Sequence, residues 1–370
     1  MATTECENNT LDWSNYTQEF ITDNFVASNL DRIVGYVVLP IIVSFGLMAN
    51  CSFLLTFAKT KWMHSTLYYY LFQLALVDAS VLALAYSQRL VTHLITPFNF
   101  THDAFGGVGC FVGLIIDMLY YASLIIVTTV SVERYLAICH PLWHMKNSSN
   151  SRIIKIFILT WSFSFTVIAL QLPQRFTNQV HCIIYPDIAF FDDYPPTARL
   201  CTAVVPWYRT IFDVLQLVVF YTCLFISIYC YGKVILFLSK RAHVGNSKYG
   251  EKSSESRVKA DAQTSATRMI LVNGSVYFFC NAPIQLFITL SLFINLFELQ
   301  LQFNDNVLVP LFTTLQVLLY INSAINPIIY SVTNARYRSA VLQTFGCVKA
   351  QSAAKTTVSQ NTSLTRTSNM

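Results

Sequence analysis

Asp117–Leu142 reads DMLYYASLIIVTTVSVERYLAICHPL. The fifteen residues from Met118 to Val132 carry no charge, a run that suits a helix in lipid or in a protein core. Glu133, Arg134 and Tyr135 follow at once, and the stretch leaves through Pro141 and Leu142. A Glu-Arg pair directly after such a run suits neither setting unless that end of the helix meets water or another protein. Taken alone, the tripeptide fits two charges on a solvated face, so its meaning depends on the rest of the chain.

Of 370 residues, 54% are hydrophobic and 12% charged, against about 25% charged in soluble domains. This is the composition of a polytopic membrane protein. The net charge of +5 is too small and too spread to imply nucleic-acid binding. The first thirty residues are acidic and polar and lack the basic start and apolar run of a signal peptide. If they lie outside the cell, the first membrane helix serves as the signal. Asn8-x-Thr10 and Asn15-x-Thr17 are glycosylation acceptors in that stretch, and Asn99-x-Thr101 is a third, further on.

Seven apolar segments follow: Ile33–Ala58, Leu67–Val91, one opened by Cys110, Ile153–Leu172, Val205–Leu238, Met269–Phe297 and Val307–Val332. Each is long enough to cross about 30 Å of hydrocarbon. Asp78 sits in the middle of the second, where a charge costs roughly 2.5–3.5 kcal/mol to insert. Such a residue faces the bundle interior and usually has a role there. Pro283 and Pro327 lie inside the sixth and seventh, where proline kinks a membrane helix rather than ending it. Residues 239–267 are polar and read as a mobile loop with helical extensions. After Pro327, Tyr337, Val341, Leu342 and Phe345 share one helical face, which predicts a short amphipathic eighth helix at the cytoplasmic interface. Cys347 at its end is a palmitoylation candidate. The expected organisation is a tail over 1–32, a seven-helix bundle over 33–345 and a disordered tail over 346–370.

Of the 24 Lys and Arg residues, about 19 fall in the loops and tail on one side, leaving Arg32, Arg89, Arg175, Arg199 and Arg209 for the other. The positive-inside rule then puts the N-terminus outside and the C-terminus in the cytoplasm of a multi-pass plasma-membrane protein. On this topology Cys6, Cys110, Cys182 and Cys201 face the oxidising side, with three possible pairings. The histidines lie in loops or at span ends, and His140 and His144, four residues apart, read as surface rather than metal ligands. No catalytic set and no metal cluster is apparent.

The motifs together resemble the rhodopsin-like (class A) G-protein-coupled receptors, over nearly all of 46–347. Gly46-x-x-x-Asn50, Leu74-Ala-x-x-Asp78, Cys110, Glu133-Arg134-Tyr135, Trp161, Tyr231, Cys280-x-x-Pro283 and Asn322-Ser-x-x-Asn326-Pro327-x-x-Tyr330 stand in order on successive spans. The resemblance implies a Cys110–Cys201 disulfide, which leaves Cys182 for Cys6. It implies a sodium site of Asp78, Ser123, Asn322 and Asn326, with no other cofactor or metal; oxygen donors suit a small hard cation. It also implies that Arg134 pairs with Glu133 at rest and that Tyr231 and Tyr330 reach toward Arg134 on activation. The Pro283 bend then lets the sixth helix swing, and Leu142 inserts into a heterotrimeric G protein. Arrestin and receptor kinases would act on the Ser/Thr-rich tail.

The pattern departs from that family in places. Asn281 stands where a Trp is usual, with Tyr277 one turn inward, and Cys223 replaces the fifth-span proline. Cys110 lies one residue nearer Arg134 than the family has it, so Asp117 and Ile116 compete for one pocket position. Candidate pocket residues are Asp117, Tyr120, Gln216, Asn281, Gln285, Gln316 and Tyr320. Asn281 either contacts the third and seventh spans as part of a polar trigger or bonds one neighbour and holds its helix still.

Cys201-Thr-x-x-x-Pro206-Trp207-Tyr208, SVERYLAICHPL and LLYINSAINPIIYS are most similar to neuropeptide receptors of the galanin, somatostatin and opioid kind. The acidic tail and second outer loop suit a basic or amidated peptide. A receptor for a biogenic amine or other small molecule is the alternative, but a ligand cation needs aromatic faces, and Ile284 and Gln285 stand where the cage would be. Tyr320 replaces the lysine an opsin requires. A transporter is more distant still, since the chain has an odd number of spans and no repeat.

Overall fold

The computed structural model describes residues 9–98, 101, 105, 108–147, 149–175, 177–202, 207–245, 254–299 and 305–346. Among them, seven helices are long and apolar enough to cross a membrane: Asn29–Lys59, Thr66–Ile95, Gly109–Cys139, Ser151–Pro173, Trp207–Lys240, Thr264–Leu296 and Pro310–Thr333. The third span packs against the second, fourth, fifth and sixth, which puts the Asp117–Leu142 stretch at the centre of the bundle. Its Leu119, Leu124, Ile126, Val127 and Val130 are buried, whereas Ile41, Phe45, Phe225, Phe279 and Leu286 point outward from other spans. In water such an exposed apolar girdle would be unstable; in a bilayer it is the solvated surface.

The first and seventh spans meet at Gly46. A Cβ there would stand 2.7 Å from the Ala324 Cβ and 2.9 Å from its Cα, so only glycine permits this approach. The buried Asn50 amide exploits the proximity. It donates to the Gly46 carbonyl at 2.9 Å and, across the interface, to the Ser323 carbonyl at 2.9 Å.

The N-terminal segment is a folded cap, where the sequence suggested only a polar tail. β1 (Thr10–Asp12) pairs in parallel with β2 (Thr177–Ile184), which pairs antiparallel with β3 (Thr197–Thr202) in the second outer loop. Trp13 is buried, stacks on Phe25 at 4.6 Å, and joins Ile21, Val26, Phe98, Ile183 and Phe191 in a small core of its own. Burial there, with Tyr194 nearby, pushes the Tyr185 phenol well above its ordinary range. The Ser14 hydrogen bonds lower the exposed Asp12 carboxyl. Ser28 and Asp31 form a capping box, so the first span begins at Asn29 and not at Ile33. Cys110 is joined to Cys201, with Cα atoms 5.8 Å apart. Cys182 is also disulfide-bonded. Cys6, Asn8, Asn99 and Cys347 lie outside the described residues, as do residues 347–370; Asn15 is exposed in a turn.

The fifth helix continues to Gly245 and the sixth starts at Ser254, so much of the expected third cytoplasmic loop is helical. After the seventh span, Asn334 caps a helix over Ala335–Thr344 by accepting from the Arg336 and Tyr337 amides. Its face does not behave as one unit. Tyr337 is buried against Phe53 and Tyr330, while Leu342 and Phe345 remain exposed.

Gly46→Val should therefore force the first and seventh spans apart and cost about 1–3 kcal/mol by overpacking. Thermal unfolding of the purified variant checks this, and a wild-type melting temperature would contradict the close approach.

Candidate functional site

The outer half of the bundle encloses a cavity of about 800 Å³. Asp117, Tyr120, Gln216, Asn281, Gln285, Gln316 and Tyr320 all line it, and so does Ile116. The ambiguity over Asp117 and Ile116 resolves because the helix presents both to the cavity. Gln285 on the sixth span donates to the Tyr120 hydroxyl on the third at 2.9 Å and accepts from Gln216 on the fifth at 3.4 Å. This chain joins three helices across the cavity. Asn281 is buried but donates to the Tyr277 carbonyl of its own helix at 2.8 Å. This i−4 bond to a single neighbour satisfies the amide donor locally, the second of the two arrangements open to Asn281.

At the cavity floor, Asp78 is buried and accepts from Asn326 at 2.6 Å. Its other carboxylate oxygen and the Asn322 and Asn326 amide oxygens have no hydrogen-bond partner at standard geometry. The Ser323 hydroxyl lies beside the carboxylate, and Ser123 beside the Tyr277 phenol. Oxygen atoms of this kind, unsatisfied and buried, fit a small hard cation.

Sequence reasoning missed the upper rim of the cavity. Asp31, Arg89 and Thr313 line it, and Asp31 comes from the segment read as a tail. The capping-box spacing Ser28-x-x-Asp31 was the available signal, but it points to a helix start and says nothing about Arg89.

The inner end differs from expectation in one respect. Glu133 is 2.6 Å from the Arg152 guanidinium and 3.1 Å from the His144 ring, and its side chain is only 4% exposed. It is therefore held by the fourth span and the second inner loop, not by Arg134. The Arg134 Nε is buried without an acceptor. The His140 ring bonds the Tyr135 hydroxyl at 3.0 Å, so His140 and His144 face different partners. The Tyr231 hydroxyl accepts from Ser131 at 2.7 Å, not from Arg134, and donates to the Ile270 carbonyl at 3.5 Å; its ring lies where a Cβ on Gly274 would be. The Tyr330 hydroxyl is buried and has no partner. Leu142 is 83% exposed on the short helix Pro141–Asn147. Pro283 and Pro327 lie within continuous helices.

A cavity open toward one face and a polar core leading from it to an exposed inner face define a membrane receptor of seven helices. The family described as 7 transmembrane receptor (rhodopsin family) matches residues 49–330, and the chain belongs to it: it is a G-protein-coupled receptor, not an enzyme. It is 27% identical to a thyrotropin-releasing hormone receptor of Gallus gallus over 92% of this chain and 86% of that protein. It is 28% identical to neuromedin-U receptor 2 of Homo sapiens, over 83% of this chain and 70% of that protein. A neuromedin U receptor homolog of Caenorhabditis elegans is 26% identical over 83% of this chain and 79% of that protein.

Removing one member of a buried ion pair strands the other, typically at about 3–5 kcal/mol, whereas removing both costs much less. Arg152→Met should therefore lower the melting temperature clearly, and Glu133→Gln/Arg152→Met should recover most of the loss. An equal loss in the double variant would show that the two side chains are not coupled.

Proposed function

We propose that this receptor is activated by a small extracellular peptide bound in the outer cavity. The carrying observation is the cavity wall, where Gln88, Gln216, Gln285 and Gln316 gather. Each amide offers a donor and an acceptor, which is what a peptide backbone requires of its host. An aromatic cage for an amine is lacking at Ile284 and Gln285, which keeps the amine reading second. The names of the relatives, which are receptors for thyrotropin-releasing hormone and neuromedin U, support a peptide.

In this reading the N-terminal cap lies outside the cell and the C-terminus in the cytoplasm, as the Lys and Arg distribution favours. Peptide contact with the Tyr120–Gln285–Gln216 chain biases the third, fifth and sixth spans. Asp78, with Ser123, Asn322 and Asn326, holds a sodium ion that favours the resting bundle. Outward movement of the sixth span, bent at Pro283, uncovers Arg134 and the exposed Leu142 for the G protein. Phosphorylation of the Ser/Thr-rich tail by receptor kinases and capture by arrestin would end the signal.

A library of neuropeptides applied to cells expressing the chain, read by calcium and cyclic AMP, tests the ligand class. Gln285→Leu should weaken an active peptide about tenfold, the worth of one hydrogen bond. Its affinity should fall as sodium rises, and in Asp78→Asn it should not respond to sodium. Unchanged potency in Gln285→Leu would move the ligand out of this cavity, and an unchanged sodium effect in Asp78→Asn would remove the ion from this site.

A further inference from the structure

At the rim of the cavity, one carboxylate lies among donors drawn from distant parts of the chain. Asp31 Oδ1 accepts from the Thr313 hydroxyl at 2.5 Å and stands 3.5 Å from an Arg89 Nη. The other Nη of Arg89 donates to the Gln316 side-chain oxygen at 2.5 Å, which fixes the plane of the guanidinium. Asp31 Oδ2 is held within its own segment, by the Ser28 amide at 3.1 Å and the Ser28 hydroxyl at 2.8 Å. Both partners of the carboxylate from the bundle, Arg89 and Thr313, line the cavity, as does Gln316, the partner of Arg89.

The two sides of this contact are unequally satisfied. The capping box and Thr313 supply the carboxylate with three hydrogen bonds that do not involve Arg89. The guanidinium, with five donors to place, has one close bond and a long ion pair, and its Nε is buried without an acceptor. A bidentate carboxylate would sit at about 2.7–2.9 Å. Arg89 is thus held in position, charged and short of acceptors, beside a space large enough for a ligand. The donors Arg89 Nη and Nε, the Thr313 hydroxyl and the Gln316 amide match an anion with two oxygens. A ligand cation is repelled by Arg89. A second carboxylate cannot share the cradle with Asp31, because two like charges in contact at low dielectric are strongly unfavourable.

We propose that Arg89, Thr313 and Gln316 form a carboxylate subsite of the cavity. Asp31, at the start of the first span, fills it from within the chain, and a carboxylate of the incoming ligand takes it over and displaces Asp31 from the rim. The takeover rests on the reading of the cavity as the ligand site; the subsite itself can be tested without a ligand.

The test uses purified full-length receptor and acetate as the probe, with acetamide as its neutral counterpart, at constant sodium and ionic strength. The variants are Asp31→Ala, Asp31→Asn and Asp31→Ala/Arg89→Gln, each also made with Ile288→Cys as a reporter on the cavity wall. Asp31→Ala should melt lower than the wild type. Acetate should restore about 2 °C or more in a saturable way, acetamide should not, and the double variant should gain nothing. An impermeant thiol reagent should label Ile288→Cys about fivefold faster or more in Asp31→Ala than with Asp31 present, and acetate should not slow it back to the wild-type rate, since the free ion does not restore the Asp31 link across the rim. Asp31→Asn keeps an acceptor for Ser28 and gives the same readings if Asp31→Ala does not fold. Equal acetate effects in the single and double variants, or none in either, would overturn the subsite. Labelling at the wild-type rate in the Asp31 variants would overturn the role of the contact in closing the rim. Neither readout involves a peptide, so failure here leaves the cavity as the ligand site, and a failed peptide screen leaves this result standing.

Discussion

A polar side chain inside a bilayer must find its partner within the protein, and here three buried amides that fix the helices do so on or beside the seventh span. Asn50 of the first span donates to the Ser323 carbonyl, and Asn326 donates to Asp78 of the second. Asn334, just past the span, donates to the Tyr68 hydroxyl at 3.2 Å. Each bond is worth little by itself, on average about 0.6 kcal/mol in a membrane protein. Their effect on geometry is larger, because an amide or carboxylate left unpaired in hydrocarbon is costly. The seventh span therefore has one low-energy register against the first and second. Gly46 allows the close approach that this register requires.

With these helices in place, the third span can serve as the axis. One part of it presents Asp117 and Tyr120 to the cavity, its middle presents Ser123 beside the Tyr277 phenol, and its other end carries Glu133 and Arg134. One helix thus runs from the cavity past the polar floor to the far end of the bundle. The buried oxygens around Asp78 lack a full set of partners, and Arg134 lacks a close acceptor. A core satisfied at its outer contacts and unsatisfied at its centre can have more than one arrangement of similar energy. That property is what a signalling bundle needs.

The spans were legible in the sequence because they depend on local composition, and the candidate pocket residues came from the family resemblance carried by motifs on single helices. Hydrophobic length identifies a span whatever it packs against. What was not legible depends on contacts between segments far apart in the chain. β1 joins β2 across the whole interval from Thr10 to Cys182, and three residues of polar sequence carry no period strong enough to predict a strand. Asp31 adds Thr313 to the Ser28 it already holds, and Arg152 takes Glu133 in place of the neighbouring Arg134 that the family resemblance implied. Both contacts are supplied by tertiary packing. For Asn281 a long-range role and a bond to a single neighbour were both open, and a bond to its own helix is what forms.

If the polar floor transmits the signal and does more than hold the bundle together, replacing Asp78 and Asn326 together by leucine should silence the receptor, since the double change removes the buried charge and its donor at once and leaves neither stranded. Melting temperature and agonist-stimulated nucleotide exchange on a purified G protein would be measured on the same preparation. A folded receptor of near wild-type stability that no longer stimulates exchange is the expected result. Wild-type exchange from the double-leucine receptor would show that the floor only holds the bundle together.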